Sequence, residues 1–258
     1  MNSPLSLAPE DLAYYSQNGF VKVNHPVFSE TDFASYSKKI TEIKNAELPQ
    51  NNSSAISSAH WKYPELLYWM LSDNVLDIAE DILGPNIGLW TSSIFFKRAH
   101  STDKAYWHQD IANVYRYKLF ENRNLINFTI SLTKTDRESG CLQFLPGTQK
   151  FQIEHNFKAP KSDLISNNNA IDPTSLNTNS AVLIELDPNE ASVHNINVVH
   201  GSEANTSDRD RLTTSFRFFS ASEGCNLNSF KVLGPHSVPF LVRGIDLTAS
   251  GLKRLAFS

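Results

Sequence analysis

From about residue 88 the chain becomes a succession of short runs rich in aromatic and β-branched residues, at 88–98, 105–111, 126–133, 141–145, 181–186, 192–200 and 211–219. Apolar and polar residues alternate within them. In the run from Ile126, the residues Ile126, Phe128, Ile130 and Leu132 share one face, while Asn127, Thr129 and Ser131 share the other. In the last run, Arg211, Thr213, Ser215 and Arg217 oppose Leu212, Thr214, Phe216 and Phe218. A period of two is the signature of a strand, because successive side chains leave a pleated backbone on opposite sides. So many strands in series predict a β-sandwich or barrel.

The segment before these strands is helical in pattern, over about 8–84. Pro9 to Gly19 reads as a short helix stopped by Asn18-Gly19, followed by a brief strand Phe20–Val23. Ser29 with Asp32 resembles a capping pair that starts a helix running to about Asn45. Gln50 to Ser58, rich in Asn and Ser, reads as a surface loop. Beyond Pro64 the apolar residues Val75, Ile78, Ala79, Ile82 and Leu83 recur at helical spacing until Gly84, a stripe suited to packing on a sheet. The expected fold class is therefore mainly β with flanking helices, and 258 residues suit a single domain, 1–258.

Composition excludes several function classes. A net charge of -4 without a Lys/Arg run argues against nucleic acid or an anionic membrane surface as partner, leaving a small molecule as the expected ligand. The N-terminal residues lack a signal-peptide pattern and no stretch is apolar for long enough to span a bilayer, so a cytoplasmic location is expected. The two cysteines, Cys141 and Cys225, read as buried thiols rather than a disulfide framework. No sequence feature bears on oligomeric state.

Polar strand faces ordinarily meet solvent. Here three of them accompany potential metal ligands, which favours a lined cavity over a wetted surface. His108 and Asp110, two apart on a strand, point the same way and with one further imidazole make a two-histidine, one-carboxylate set of the kind that holds Fe(II) with positions left open. Tyr106 shares their face, whereas Trp107 and Gln109 point away. The third ligand is His200, at the end of an apolar run beside Gly201-Ser202; His194, six residues earlier and on the same face of a regular strand, is its rival.

Arg211 opens the strand after His200, so a hairpin would return its guanidinium to the same cavity. A buried guanidinium calls for an anion, and a dicarboxylate that chelates iron at one end and meets Arg211 at the other has the shape of 2-oxoglutarate. Ser202 and Thr129, with Asn127 on the same face as Thr129, are expected to assist its binding. Tyr106, Arg217 and Lys97 are expected to face the substrate, which suggests a substrate bearing an anion or hydrogen-bond acceptors. The Asn/Ser-rich segment at about 154–180 reads as a lid loop or, alternatively, a surface insertion.

At His108-Gln109-Asp110, Gly140-Cys141-Leu142, Leu145-Pro146-Gly147-Thr148 and His200-Gly201-Ser202 with Arg211, the sequence resembles the phytanoyl-CoA dioxygenase (PhyH) family of Fe(II)/2-oxoglutarate oxygenases. The resemblance runs from about Leu7 to Phe219 and rests on the ordered combination. It implies a double-stranded β-helix (jelly-roll, cupin-like) core, iron on His108, Asp110 and His200, and 2-oxoglutarate on Arg211. With O2 as the remaining co-substrate, the implied reaction hydroxylates, desaturates or cyclises a small metabolite at an unactivated C–H bond. Gln149 departs from the histidine the family often carries after the Pro-Gly turn. Asp110 argues against the halogenases of this group, which replace that carboxylate with a small residue. A cupin-like metalloenzyme without 2-oxoglutarate, or a non-catalytic metal-binding protein of the same fold, are the competing readings.

Overall fold

The alternation decides how the chain is layered. In the computed structural model, which describes residues 6–48, 53–120, 124–156 and 170–255, eleven strands form two sheets. They are β1 Phe20–Val23, β2 Ser54–Ser57, β3 Ile87–Lys97, β4 Ala105–His108, β5 Leu125–Ser131, β6 Leu142–Phe144, β7 Val182–Ile184, β8 Ala191–Asn195, β9 His200–Ser202, β10 Arg211–Ser220 and β11 Phe240–Arg243. The major sheet has the order β1-β8-β5-β10-β3-β11, with β2 also on β3; the minor sheet has the order β4-β9-β6-β7. The strand pairings within both sheets are antiparallel. The result is the jelly-roll expected from the sequence.

Among the described residues seven α-helices accompany the sheets: α1 Pro9–Asn18, α2 Glu30–Glu47, α3 Ala59–Lys62, α4 Leu67–Met70, α5 Asp73–Leu83, α6 Ile111–Tyr117 and α7 Leu227–Leu233. Gly19 ends α1 at φ 86°, a left-handed conformation that glycine adopts without strain, and Ser29 caps α2 by accepting from Asp32 N at 3.1 Å. Tyr36, Ile40 and Ile43 of α2 and Val75, Ile78 and Ala79 of α5 pack with Ile94, Phe96, Phe128, Ile130, Phe216 and Phe218 of the major sheet in one buried cluster. The apolar strand face is thus covered by helices. Its polar face turns towards the minor sheet, and Asn127, Thr129, Ser131, Arg211, Thr213 and Ser215 on it are buried rather than solvated.

Three sequence expectations need correction. Residues Ser54–Ser57 are not loop but strand β2, which pairs with Ser93 to Phe96 of β3; an edge strand needs few apolar residues of its own, so its Asn/Ser-rich surroundings hid it. The run at 192–200 is not one strand. It breaks at Ile196–Val199, where the chain passes from β8 in the major sheet to β9 in the minor sheet. Consequently the link from His200 to Arg211 is a crossing between sheets rather than a hairpin within one. Of the suggested lid, 154–156 and 170–180 are described: Asn156 bridges Ala170, and Ile171 N donates to Trp107 O at 2.7 Å, while 157–169 lie outside the described residues. No helix among the described residues is long and apolar enough to cross a membrane.

Candidate metal and co-substrate site

The site lies on the seam between the sheets, in a cavity of about 370 Å³ lined by both. On the minor sheet, His108 of β4 and His200 of β9 stand directly opposite one another in register. Each Nδ1 faces a backbone carbonyl, Tyr106 O at 2.7 Å and Val198 O at 3.0 Å respectively. A carbonyl only accepts, so Nδ1 carries the proton in both rings and both Nε2 lone pairs are left for a metal. On the major sheet, Arg217 of β10 and His194 of β8 flank Asn127 of β5 in one cross-strand row.

Asp110 sits between the two sheets. It is not on β4, which ends at His108, but on the turn into α6, so the two-residue alternation expected of a strand is not what aims it. Its Oδ2 is held by Arg217 Nη2 at 2.7 Å and by Asn127 Nδ2 at 3.0 Å, while Oδ1 lies 3.6 Å from His108 Nε2. Burial works against this carboxylate, yet the Arg217 guanidinium and the surrounding imidazoles hold it well below the usual carboxylate range. One donor atom from each of His108, Asp110 and His200 falls within 4.8 Å of the others. Two imidazole nitrogens and one carboxylate oxygen, without sulfur, suit Fe(II).

His194 is not in that group of three, but it is close. Its Nε2 is 3.7 Å from Asp110 Oδ2 and its ring centroid is 4.7 Å from that of His200, although the two histidines belong to different sheets. At 1 % exposure, neither of its ring nitrogens has a hydrogen-bond partner. Burial lowers the affinity of both His194 and His200 for a proton, and the neighbouring imidazoles add to this at His200, leaving neutral rings beside the metal position.

At the other end of the cavity Arg211 is opposed in register by Lys97, and both are buried. Arg211 donates to Gly140 O; burial pushes its guanidinium down to about 10, and no carboxylate offsets this. Lys97 Nζ donates to Ser202 Oγ at 2.8 Å and to the carbonyls of Gly140 and Glu203, and burial, with Arg211 alongside, pushes its ammonium down to about 6. Because Ser202 Oγ accepts from Lys97, its own proton is directed elsewhere. Thr129, Ser202 and Arg211 all line the cavity.

The three residues expected to face the substrate are distributed differently. Arg217 pairs with Asp110, with its guanidinium 5.1 Å from the Trp90 ring, and Lys97 stands beside Arg211. Tyr106 contributes a backbone carbonyl to His108, and its side chain is absent from the cavity wall. Asn127 reaches Asp110 rather than the Arg211 end. Gln109, which faces away as expected, is fully buried and ties the ligand turn to two other segments through Phe151 O at 2.8 Å, Asn197 O at 2.5 Å and Ile153 N at 3.1 Å. Sequence reasoning did not assign a role to Trp90, which a β-bulge between Arg217 and Phe218 leaves on the cavity wall.

Comparison with known proteins agrees with this geometry. The phytanoyl-CoA dioxygenase (PhyH) family model matches residues 15–213. A probable alpha-ketoglutarate-dependent hypophosphite dioxygenase of Stutzerimonas stutzeri is 26 % identical over 158 residues, 59 % of this chain and 52 % of that protein. An L-proline trans-4-hydroxylase of Streptomyces griseoviridis is 24 % identical over 153 residues, 57 % of each. The chain thus spans about half the length of these curated relatives. Among solved structures, the non-heme alpha ketoglutarate dependent carbocyclase SnoK from nogalamycin biosynthesis has a TM-score of 0.67 at 22 % identity, covering 83 % of this chain and 85 % of that one. EctD from S. alaskensis with 2-oxoglutarate and 5-hydroxyectoine has a TM-score of 0.69 at 16 % identity, covering 84 % and 77 %. With the match extending over most of the sequence, the chain belongs to the phytanoyl-CoA dioxygenase family.

Proposed function

We propose that the protein is an Fe(II)/2-oxoglutarate-dependent dioxygenase that hydroxylates, desaturates or cyclises a small metabolite at an unactivated C–H bond. The observation that carries this reading is Arg211, a buried cation without an anionic partner among the described residues, on the wall of the same cavity as the His108, Asp110 and His200 donors. A structural metal site would need no such cation. Burying a guanidinium costs several kcal/mol unless an anion meets it, so the cavity is built for an anionic co-substrate.

His108, Asp110 and His200 hold the iron. Fe(II), with 2-oxoglutarate and O2, supplies the oxidising power for C–H attack. Arg217 and Asn127 fix one oxygen of Asp110 and so present the other. Arg211 takes the distal carboxylate of 2-oxoglutarate, and Ser202, oriented by Lys97, adds a hydroxyl donor. The buried strand faces keep bulk water from this end of the cavity.

The test is anaerobic loading with Fe(II) followed by titration with 2-oxoglutarate, read by the metal-to-ligand charge-transfer band that bidentate chelation produces, then by succinate release on admitting O2. Appearance of the band with one iron per chain supports the reading. Iron binding without any 2-oxoglutarate response refutes it and returns the cupin-like alternative.

A further inference from the structure

Register places five hydroxyl residues in a single row across the inner face of the major sheet. Ser192 of β8 faces Thr129 of β5, Thr129 faces Ser215 of β10, Ser215 faces Ser93 of β3, and Ser93 faces Ser57 of β2. At about 4.8 Å per strand, such a row extends roughly 19 Å. Its outer end, Ser93 and Ser57, lines the cavity beside Ser58 and Thr91, whose hydroxyls are 3.1 Å apart. A jelly-roll interior with nothing polar to bind would be packed with apolar side chains, as the opposite face of these same strands is.

Buried polar groups that lack protein partners mark where ligand atoms belong. Thr213 Oγ1 and both ring nitrogens of His194, in residues each 1 % exposed, have no hydrogen-bond partner among the described residues, and neither does Arg217 Nε; all three residues line this cavity. The charge of Arg217 is already met by Asp110 at 2.7 Å. A second anion at Arg217 would face the Asp110 carboxylate, so the Nε–H suits a neutral oxygen. Apart from the Arg217–Asp110 pair and Lys97 with Arg211, the described residues lining the cavity carry no Asp, Glu, Lys or Arg side chain, and Tyr117, Leu119 and Leu233 give it an apolar side.

Resting on the dioxygenase reading, we propose that the outer half of the cavity takes an uncharged, oxygen-rich substrate: a sugar, or a ring carrying several hydroxyl or carbonyl oxygens. Hydroxyl side chains both donate and accept, which matches ligand hydroxyls, whereas a ligand carboxylate buried among them would lack a compensating cation. The apolar side takes the ligand's carbon face. Of the anion or hydrogen-bond acceptors that Tyr106, Arg217 and Lys97 suggest from sequence, this keeps the acceptors and drops the anion, because Arg217 is met by Asp110 and Lys97 Nζ is taken up by Ser202 and backbone carbonyls.

A charge-matched pair tests the proposal. The protein is loaded anaerobically with Fe(II) and 2-oxoglutarate, and phenyl β-D-glucopyranoside or phenyl β-D-glucuronide, which differ by a carboxylate at one carbon, is titrated in. Binding is read by calorimetry and by perturbation of the charge-transfer band. The glucoside should bind at least about tenfold more tightly, and a Ser57→Ala/Ser93→Ala double variant should lose about tenfold or more in glucoside affinity while its 2-oxoglutarate affinity is unchanged. Tighter binding of the glucuronide, or equal glucoside affinity in the double variant, overturns the proposal. Absence of the charge-transfer band before any glycoside is added instead refutes the dioxygenase reading.

Discussion

Replacing Arg211 with methionine should produce two effects of opposite sign. Arg211 is 5 % exposed and has no carboxylate partner among the described residues, so in the ligand-free protein it is a desolvated cation held by a backbone carbonyl. Solvent screening is small at that depth, and removing an uncompensated charge while keeping the side-chain volume should leave apo stability unchanged or raise it by about 1 kcal/mol or more. With 2-oxoglutarate bound the sign reverses, because the co-substrate carboxylate then loses its partner. That loss is about 3–5 kcal/mol for a well-buried pair, or roughly 100- to 4,000-fold in affinity. Ser202 and Thr129 line the same cavity and would share the carboxylate, so the lower part of that range is expected. Urea unfolding of the metal-free protein measures the first effect, and anaerobic 2-oxoglutarate titration of the iron-loaded protein the second. If Arg211→Met destabilised the apo protein by several kcal/mol and bound 2-oxoglutarate within twofold of wild type, Arg211 would be a structural residue and the co-substrate placement would be wrong.

Other perturbations probe separate parts of the site. Asn127→Ala removes one of the two donors that orient Asp110, and Fe(II) affinity should fall about 10- to 100-fold, measured by competition with a chelator of known affinity. Gly140→Ala should destabilise the fold by at least about 1–2 kcal/mol and weaken 2-oxoglutarate binding; its φ is +71°, and an added Cβ would lie 2.2 Å from Glu203 O, beside the carbonyl that receives both Arg211 and Lys97. Burial pushes His60 down to about 4 from 6.5, so its neutral form stabilises the fold fully above about pH 6.5, and that contribution, about 3 kcal/mol, is lost as pH falls towards 4. Stability measured across that interval should therefore fall less steeply for His60→Phe than for wild type, and parallel curves would show that His60 is not the titrating group.

Much of this site is legible in the sequence because its logic is local. The pairing of His108 with Asp110, the Gly-Ser turn after His200 and the offset to Arg211 all rest on short spacings, and all four side chains reach one cavity. What spacing conceals is pairing between distant segments. Arg217 and Lys97 look alike as cations on polar faces, and nothing local reveals that one meets Asp110 and the other Ser202. The break at Ile196–Val199 was invisible for a related reason: these residues are almost fully buried, so an apolar run continues through a turn as smoothly as through a strand. Ser54–Ser57 was hidden because β2 takes its order from β3. Asp110 reached its place through a turn that alternation would not have required.

That Asp110 stands between a histidine pair on one sheet and an Arg–Asn pair on the other has a thermodynamic consequence. All three candidate ligands come from the minor sheet and the turn that follows β4, and the major sheet supplies the Arg217 and Asn127 donors that aim Asp110, so a chain in which the sheets have separated should hold the ion more weakly. Metal binding is then linked to docking of the two halves, and stabilises the native state by RT ln(1 + [M]/Kd), about 2.7 kcal/mol at a hundredfold excess over Kd. Apo and holo forms should therefore differ most in hydrogen-exchange protection at β4 and β9, the strands that carry His108 and His200.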